Sequence, residues 1–145
     1  MSDRARTVTD MTSATSTFTV AEFTPQPFQP QIETGLPTGY VLMRKEFTGQ
    51  ISGTSQTQFV YAYDEQHGGT YVALESFSGS IDDHEGSCNI AHSATTTAAG
   101  DTREQEFVLI VPRSGTSALA GITGSGSMVI DPDGTHHLTL DYHLS

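Results

Sequence analysis

The 145 residues are enough for one domain of ordinary size, with room inside for a closed sheet and a ligand cavity but not for a second domain. Seventeen acidic residues against six basic ones give a net charge of -11, which repels phosphate backbones and anionic headgroups over a Debye length of about 10 Å, so nucleic acid and membrane surfaces are poor partners. One cysteine, Cys88, leaves no intrachain disulfide, no stretch reaches the roughly 20 apolar residues of a bilayer span, and the start MSDRARTVTD lacks the apolar run of a secretory signal; the expected setting is cytoplasmic.

Residues 1–13 are rich in Thr, Ser, Asp and Arg without periodicity, so they read as a disordered tail, leaving 14–145 as a single domain. From Thr15 to Phe23 the residues alternate, with Phe18 and Val20 on one face against Thr17 and Thr19, which predicts a first strand. Residues 24–39 hold Pro25, Pro27, Pro30 and Pro37, none of which can donate to a sheet ladder, and read as an extended connection that is either a lid or a plain crossover. Beyond Gly39, strands are predicted near 40–51, 55–64, 70–82, 85–97, 103–112, 124–131 and 135–144. Their separators are turn chemistry: Ser52-Gly53, Gln66 to Gly69, Asp82 to Glu85, Ala99-Gly100-Asp101 and Pro132-Asp133-Gly134. Only Ser117 to Ile122 has the look of a single helical turn. Eight short antiparallel strands favour an all-β barrel, because closure removes exposed edges, with a sandwich as the alternative.

Two polar residues stand out against this pattern. A hairpin centred between Asp83 and His84 sets Glu75 opposite His92, on a face shared with Tyr71, Phe77, Cys88 and Ile90. The same reasoning on the preceding hairpins adds Met43, Lys45, Phe47, Phe59, Tyr61 and Tyr63 to that face, while Arg44, Glu46, Asp64, Ser76, Ser78 and Asn89 lie outside with Leu42, Val60 and Leu74. If the aromatic face is the inner one, Glu75 and His92 are candidates for proton transfer. Lys45, Phe47, Phe59, Tyr61, Tyr63, Tyr71, Phe77 and Cys88 are then candidates for substrate contact. A buried polar network that fixes strand register reads equally well, since buried charges must pair.

Other chemistries find less support. His137 and His143 share a strand face and His136 takes the other, with no ligand spacing that specifies a metal. The Ser114-Gly115-Thr116 stretch matches neither a nucleophile elbow nor a phosphate loop, and GITGSGS lacks the context of a dinucleotide fingerprint. No cofactor is implied. Cys88, mid-strand and without a basic neighbour, reads as an inert interior thiol.

FTGQISGTS, TYVALESFSGSI, the Gly-Ser and His of EGSCNIAHS, VPRSGTSALAGITGSG and HHLTLDYHL together resemble a bacterial family known only as domain of unknown function 3224. That resemblance spans most of residues 14–144 and implies a small barrel similar to that of allene oxide cyclase and of the bacterial cyclases that form spirotetronate rings. Glu75 and His92 match the family pattern. Ser76 stands where an arginine is usual, Cys88 where an aromatic is, Ala94 where a glycine is, and Ser117-Ala118 where Gly-Glu is. The fold implied is an allene oxide cyclase-like eight-stranded antiparallel β-barrel. It would enclose a small hydrophobic molecule, polyketide-like or polyunsaturated, as a cofactor-independent cyclase or isomerase. Two other readings stay open: a carrier for a small apolar ligand with residues 24–39 as lid, and a filled barrel that works by self-association, as a homodimer.

Overall fold

The computed structural model describes residues 11–98 and 102–145, and in it eight strands follow one another around a closed antiparallel ring. They are β1 (Thr12–Pro25), β2 (Thr38–Gly49), β3 (Ile51–Asp64), β4 (Gly68–Ile81), β5 (His84–Thr96), β6 (Arg103–Ile110), β7 (Thr123–Ile130) and β8 (His136–His143), with one 3-10 turn at Ser117–Leu119 before β7. The ring closes where β1 pairs with β8, placing Ala14 opposite Leu140 and Thr17 opposite His137. A two-layer sandwich is therefore ruled out, and each strand has a hydrogen-bonded neighbour on both sides. The first strand starts at Thr12, inside the segment expected to be a tail, because Thr12 and Ser13 pair with Tyr142 and Asp141. Residues 1–10 of that tail, and the turn expected at Ala99-Gly100-Asp101, lie outside the described residues.

Two hairpin registers differ from the expected ones. Between β4 and β5 the turn is Asp82-Asp83, both with positive φ (49° and 73°), the two-residue geometry whose twist suits a hairpin and which aspartate tolerates. Ile81 therefore faces His84, Glu75 faces Ile90 and His92 faces Ala73. The slip is two residues, so parity and face are as expected while Glu75 and His92 become diagonal neighbours rather than direct ones. Between β2 and β3 the chain reverses around Gln50, which puts Ser52-Gly53 inside β3 and sets Lys45 opposite Ser55.

The interior divides into two halves along the barrel. At one end Phe47, Ile51, Phe77, Ile81, Cys88, Ile90, Ile110 and Leu140 interlock, with the Phe47 and Phe77 rings edge to face at 5.7 Å. The connection from β6 to β7 folds across that end, where Leu119 and Ile122 are wholly buried. Each such side chain contributes roughly 1.5–3 kcal/mol by leaving water. At the other end the inward positions of β4 and β5 include Gly69, Ala73 and Ala94, too small to meet in the middle. A cavity of about 580 Å³ opens there, within the roughly 300–1,000 Å³ of small-molecule sites. Of the proline-rich connection only Pro37 borders this cavity, and Phe28 and Ile32 are exposed.

Candidate functional site

Between the packed half and the cavity lies a layer of buried polar side chains. Lys45 comes from β2, Ser55 from β3, Glu75 from β4 and His92 from β5, each brought inward by strand alternation. The Glu75 carboxylate is 0% exposed and is the centre of the layer. Its Oε1 accepts from Lys45 Nζ at 3.0 Å and from His92 Nε2 at 2.7 Å, and its Oε2 accepts from Ser55 Oγ at 2.7 Å. Burial pushes the Glu75 carboxyl up, but the Lys45 charge and then the His92 hydrogen bond outweigh it and hold the pKa at about 2.

The chain of hydrogen bonds continues toward the open end. A carboxylate only accepts, so His92 must donate from Nε2, and its Nδ1 then accepts from the Tyr71 hydroxyl at 2.9 Å. The Tyr71 oxygen in turn accepts from Arg103 Nη2 at 2.7 Å, and Arg103 Nε donates to Glu106 at 2.7 Å. This tautomer is the neutral imidazole, in keeping with a His92 pKa lowered chiefly by burial. Burial likewise raises the Tyr71 pKa in spite of Arg103, so Tyr71 is a hydroxyl and not a phenolate. Arg103, Tyr71, His92, Glu75 and Lys45 thus form one line of alternating donors and acceptors.

Above this line the cavity wall is aromatic. Phe59 stacks on Tyr71 at 4.7 Å, Tyr61 tilts against Phe59 at 6.1 Å, and Tyr71 meets the edge of His92 at 5.4 Å. Tyr61 lies across Gly39 on β2, where a β-carbon would come within 2.3 Å of the ring, so the glycine is what lets the tyrosine lie flat along the wall. Phe18, Met43, Met128 and Ile130 complete the apolar lining, and Asp64 and Glu65 stand at the mouth.

Six of the ten residues expected at a site border the cavity: Lys45, Phe59, Tyr61, Tyr63, Tyr71 and His92. Glu75 is not on its wall. It sits beneath, bonded to Lys45 and His92, and acts on the cavity only through them. Phe47, Phe77 and Cys88 were expected to touch a substrate and instead belong to the packed half, where the large side chains of β3, β6 and β8 close over them. The Cys88 thiol is buried, and that burial and then the Glu75 charge push it up to about 11, which disfavours the thiolate.

Two members of the network escaped the sequence. Ser55 was hidden by the misplaced β2–β3 turn, since the true register pairs it with Lys45. Arg103 was hidden by a bulge: Gln105 has φ of 52° and the pairing shifts between Ser93 and Thr95, so Arg103 points inward although Val108 and Ile110 on the same strand have the opposite parity. No regular alternation could reveal it.

Residues 14–142 match the sequence profile of the family described as protein of unknown function (DUF3224). The chain belongs to this family. The crystal structure of a DUF3224 protein of unknown function from Shewanella oneidensis MR-1 is similar, with a TM-score of 0.81 at 25% sequence identity over 93% of this chain and 98% of that one. No curated protein matches the sequence. The shared fold gives the DUF3224 barrel its scaffold, and the function has to be read from the site.

Proposed function

We propose that this DUF3224 protein encloses a small hydrophobic molecule, polyketide-like or polyunsaturated, and acts on it as a cofactor-independent cyclase or isomerase in a barrel of the allene oxide cyclase-like kind. The observation that carries this reading is the half-empty interior: a cavity walled by Phe59, Tyr61 and Tyr71 whose floor is an ordered line of ionisable groups. An aromatic wall with a narrow floor holds a flexible chain in a folded conformer, and such positioning alone can supply several powers of ten in rate. Lys45 and the Tyr71–His92 pair lie where charge on a reacting oxygen or carbon could be stabilised or a proton moved. Glu75 is then a positioning residue that fixes the His92 tautomer and the Lys45 ammonium.

A carrier is the second reading, favoured by the completeness of the network, in which every Glu75 oxygen already has a protein partner. The two readings part on what happens to a bound molecule. Native mass spectrometry of the protein purified from its own host identifies the co-purifying compound. Incubation of that compound with fresh protein and with His92→Gln follows. Turnover by the wild type that falls by at least about a hundredfold in the variant supports the enzyme. Unchanged compound with both proteins leaves the carrier.

A further inference from the structure

We infer that the cavity is built for a neutral apolar molecule bearing a carbonyl oxygen, with Lys45 as the residue that grips that oxygen. This deepens the cavity reading above and rests on it. Three buried polar side chains stand on the cavity wall, Lys45, Tyr71 and His92, and two of them are spent. The single Tyr71 O–H is given to His92, and both His92 nitrogens are engaged, one with Tyr71 and one with Glu75. Arg103, half-buried at the same wall, is committed to Tyr71 and Glu106. The Lys45 ammonium carries three N–H donors and gives one to Glu75. Its cation also sits 4.8 Å from the centre of the Phe18 ring, so the ammonium is held from one side by a carboxylate and from another by an aromatic face. A buried ammonium with donors to spare, at the bottom of an apolar cavity, calls for an acceptor atom on the ligand.

The surrounding charge decides what kind of acceptor. In and immediately behind the cavity wall there are two cations, Lys45 and Arg103, and four carboxylates: Glu75 and Glu106, bonded to those cations, and Asp64 and Glu65 at the mouth. A ligand carboxylate would pass two acidic residues at the rim, in a chain of net charge -11, and end beside Glu75. An ammonium ligand would end against Lys45. A ketone, enone or lactone carbonyl pays neither cost and still accepts a charge-assisted hydrogen bond. The expected occupant is therefore an apolar carbonyl compound with no charge of its own, held with its carbonyl down and its hydrocarbon body against Phe59 and Tyr61.

Three naphthalene probes of nearly equal size test this: 6-propionyl-2-(dimethylamino)naphthalene, its carbonyl-free 6-propyl analogue and 6-(dimethylamino)-2-naphthoate. Their affinities are measured by fluorescence titration at pH 7.5 and low salt. The wild type should bind the ketone about tenfold or more tighter than either analogue, as one charge-assisted hydrogen bond would give. Lys45→Met combined with Glu75→Gln removes the ion pair without stranding a charge. In that variant the ketone should fall to the affinity of the propyl compound, whose own binding should be unchanged. Equal binding of ketone and propyl compound by the wild type, or tighter binding of the naphthoate, overturns the assignment while leaving an enclosing cavity intact. Binding of none of the three overturns the cavity reading and the assignment together.

Discussion

The two halves of the barrel are made by the same strands and differ only in what alternation sends inward. In the packed half β4 contributes Phe77 and Ile81 and β5 contributes Cys88 and Ile90; in the open half the same strands contribute Gly69, Ala73 and Ala94. Large side chains and the wholly buried Leu119 and Ile122 close one end. Small residues at the other leave a space that the aromatics on β3 line but do not fill. A packed half and a cavity are thereby separated along one axis, with the Glu75 layer as the partition.

The strongest way to break that separation is to attack the partition itself. Glu75→Gln leaves the Lys45 ammonium buried without its counter-charge, and the fold should lose about 3–5 kcal/mol in urea unfolding. A loss below 1 kcal/mol would mean that water reaches the layer. Phe77→Ala probes the packed half alone: it should cost about 3–5 kcal/mol while the affinity of the carbonyl probe stays within about twofold.

Acid should act through the same layer in two windows. The His92 pKa is lowered in the folded state, so folding binds fewer protons than unfolding there, and stability should fall as pH drops through about 6.5. Glu75, held at about 2 against 4.5 when free, contributes stability that is fully present above about 4.5 and is lost as pH falls toward 2. Urea titrations of wild type and His92→Gln across pH 8 to 5 check the first window: the variant should lose the slope that belongs to His92, and parallel curves would show that His92 does not titrate on unfolding.

A smaller effect on stability and a larger one on binding are expected from Ala73→Leu, which grows a buried side chain opposite His92 and behind the aromatic wall of Phe59, Tyr61 and Tyr71. Added bulk behind that wall should cost about 1–3 kcal/mol, and by pushing Phe59 and Tyr61 toward the cavity it should weaken binding of the naphthalene ketone at least about tenfold in the same fluorescence titration. Unaltered affinity would place the occupied volume elsewhere. The smallest effect should come from outside: Val72→Thr, on the exposed face of β4, should shift stability by about 0.5 kcal/mol or less and leave the cavity untouched.

Reading the sequence worked where regular alternation holds and failed where it breaks. Glu75 and His92 share a face whichever way the hairpin is registered by an even step, so their juxtaposition was legible even with the turn misplaced by a residue. Lys45, Phe59, Tyr61, Tyr63 and Tyr71 followed from the same parity. Arg103 did not, because the bulge at Gln105 reverses the face of the residues before it. The division of the inner face into a filled and an empty half was also invisible: Phe47 and Phe77 are as aromatic as Phe59 and Tyr71, and nothing in their own strands tells which end the β6–β7 connection will cover.

By itself, then, the sequence determined the strands, their inward faces and the pairing of an acid with an imidazole, all of which depend on a local period of two. The tertiary structure decided the rest. Which strand meets which across the closed ring sets whether opposing side chains are large or small. That sum over eight strands, and no single one of them, leaves a cavity above Lys45 and His92 and none above Cys88.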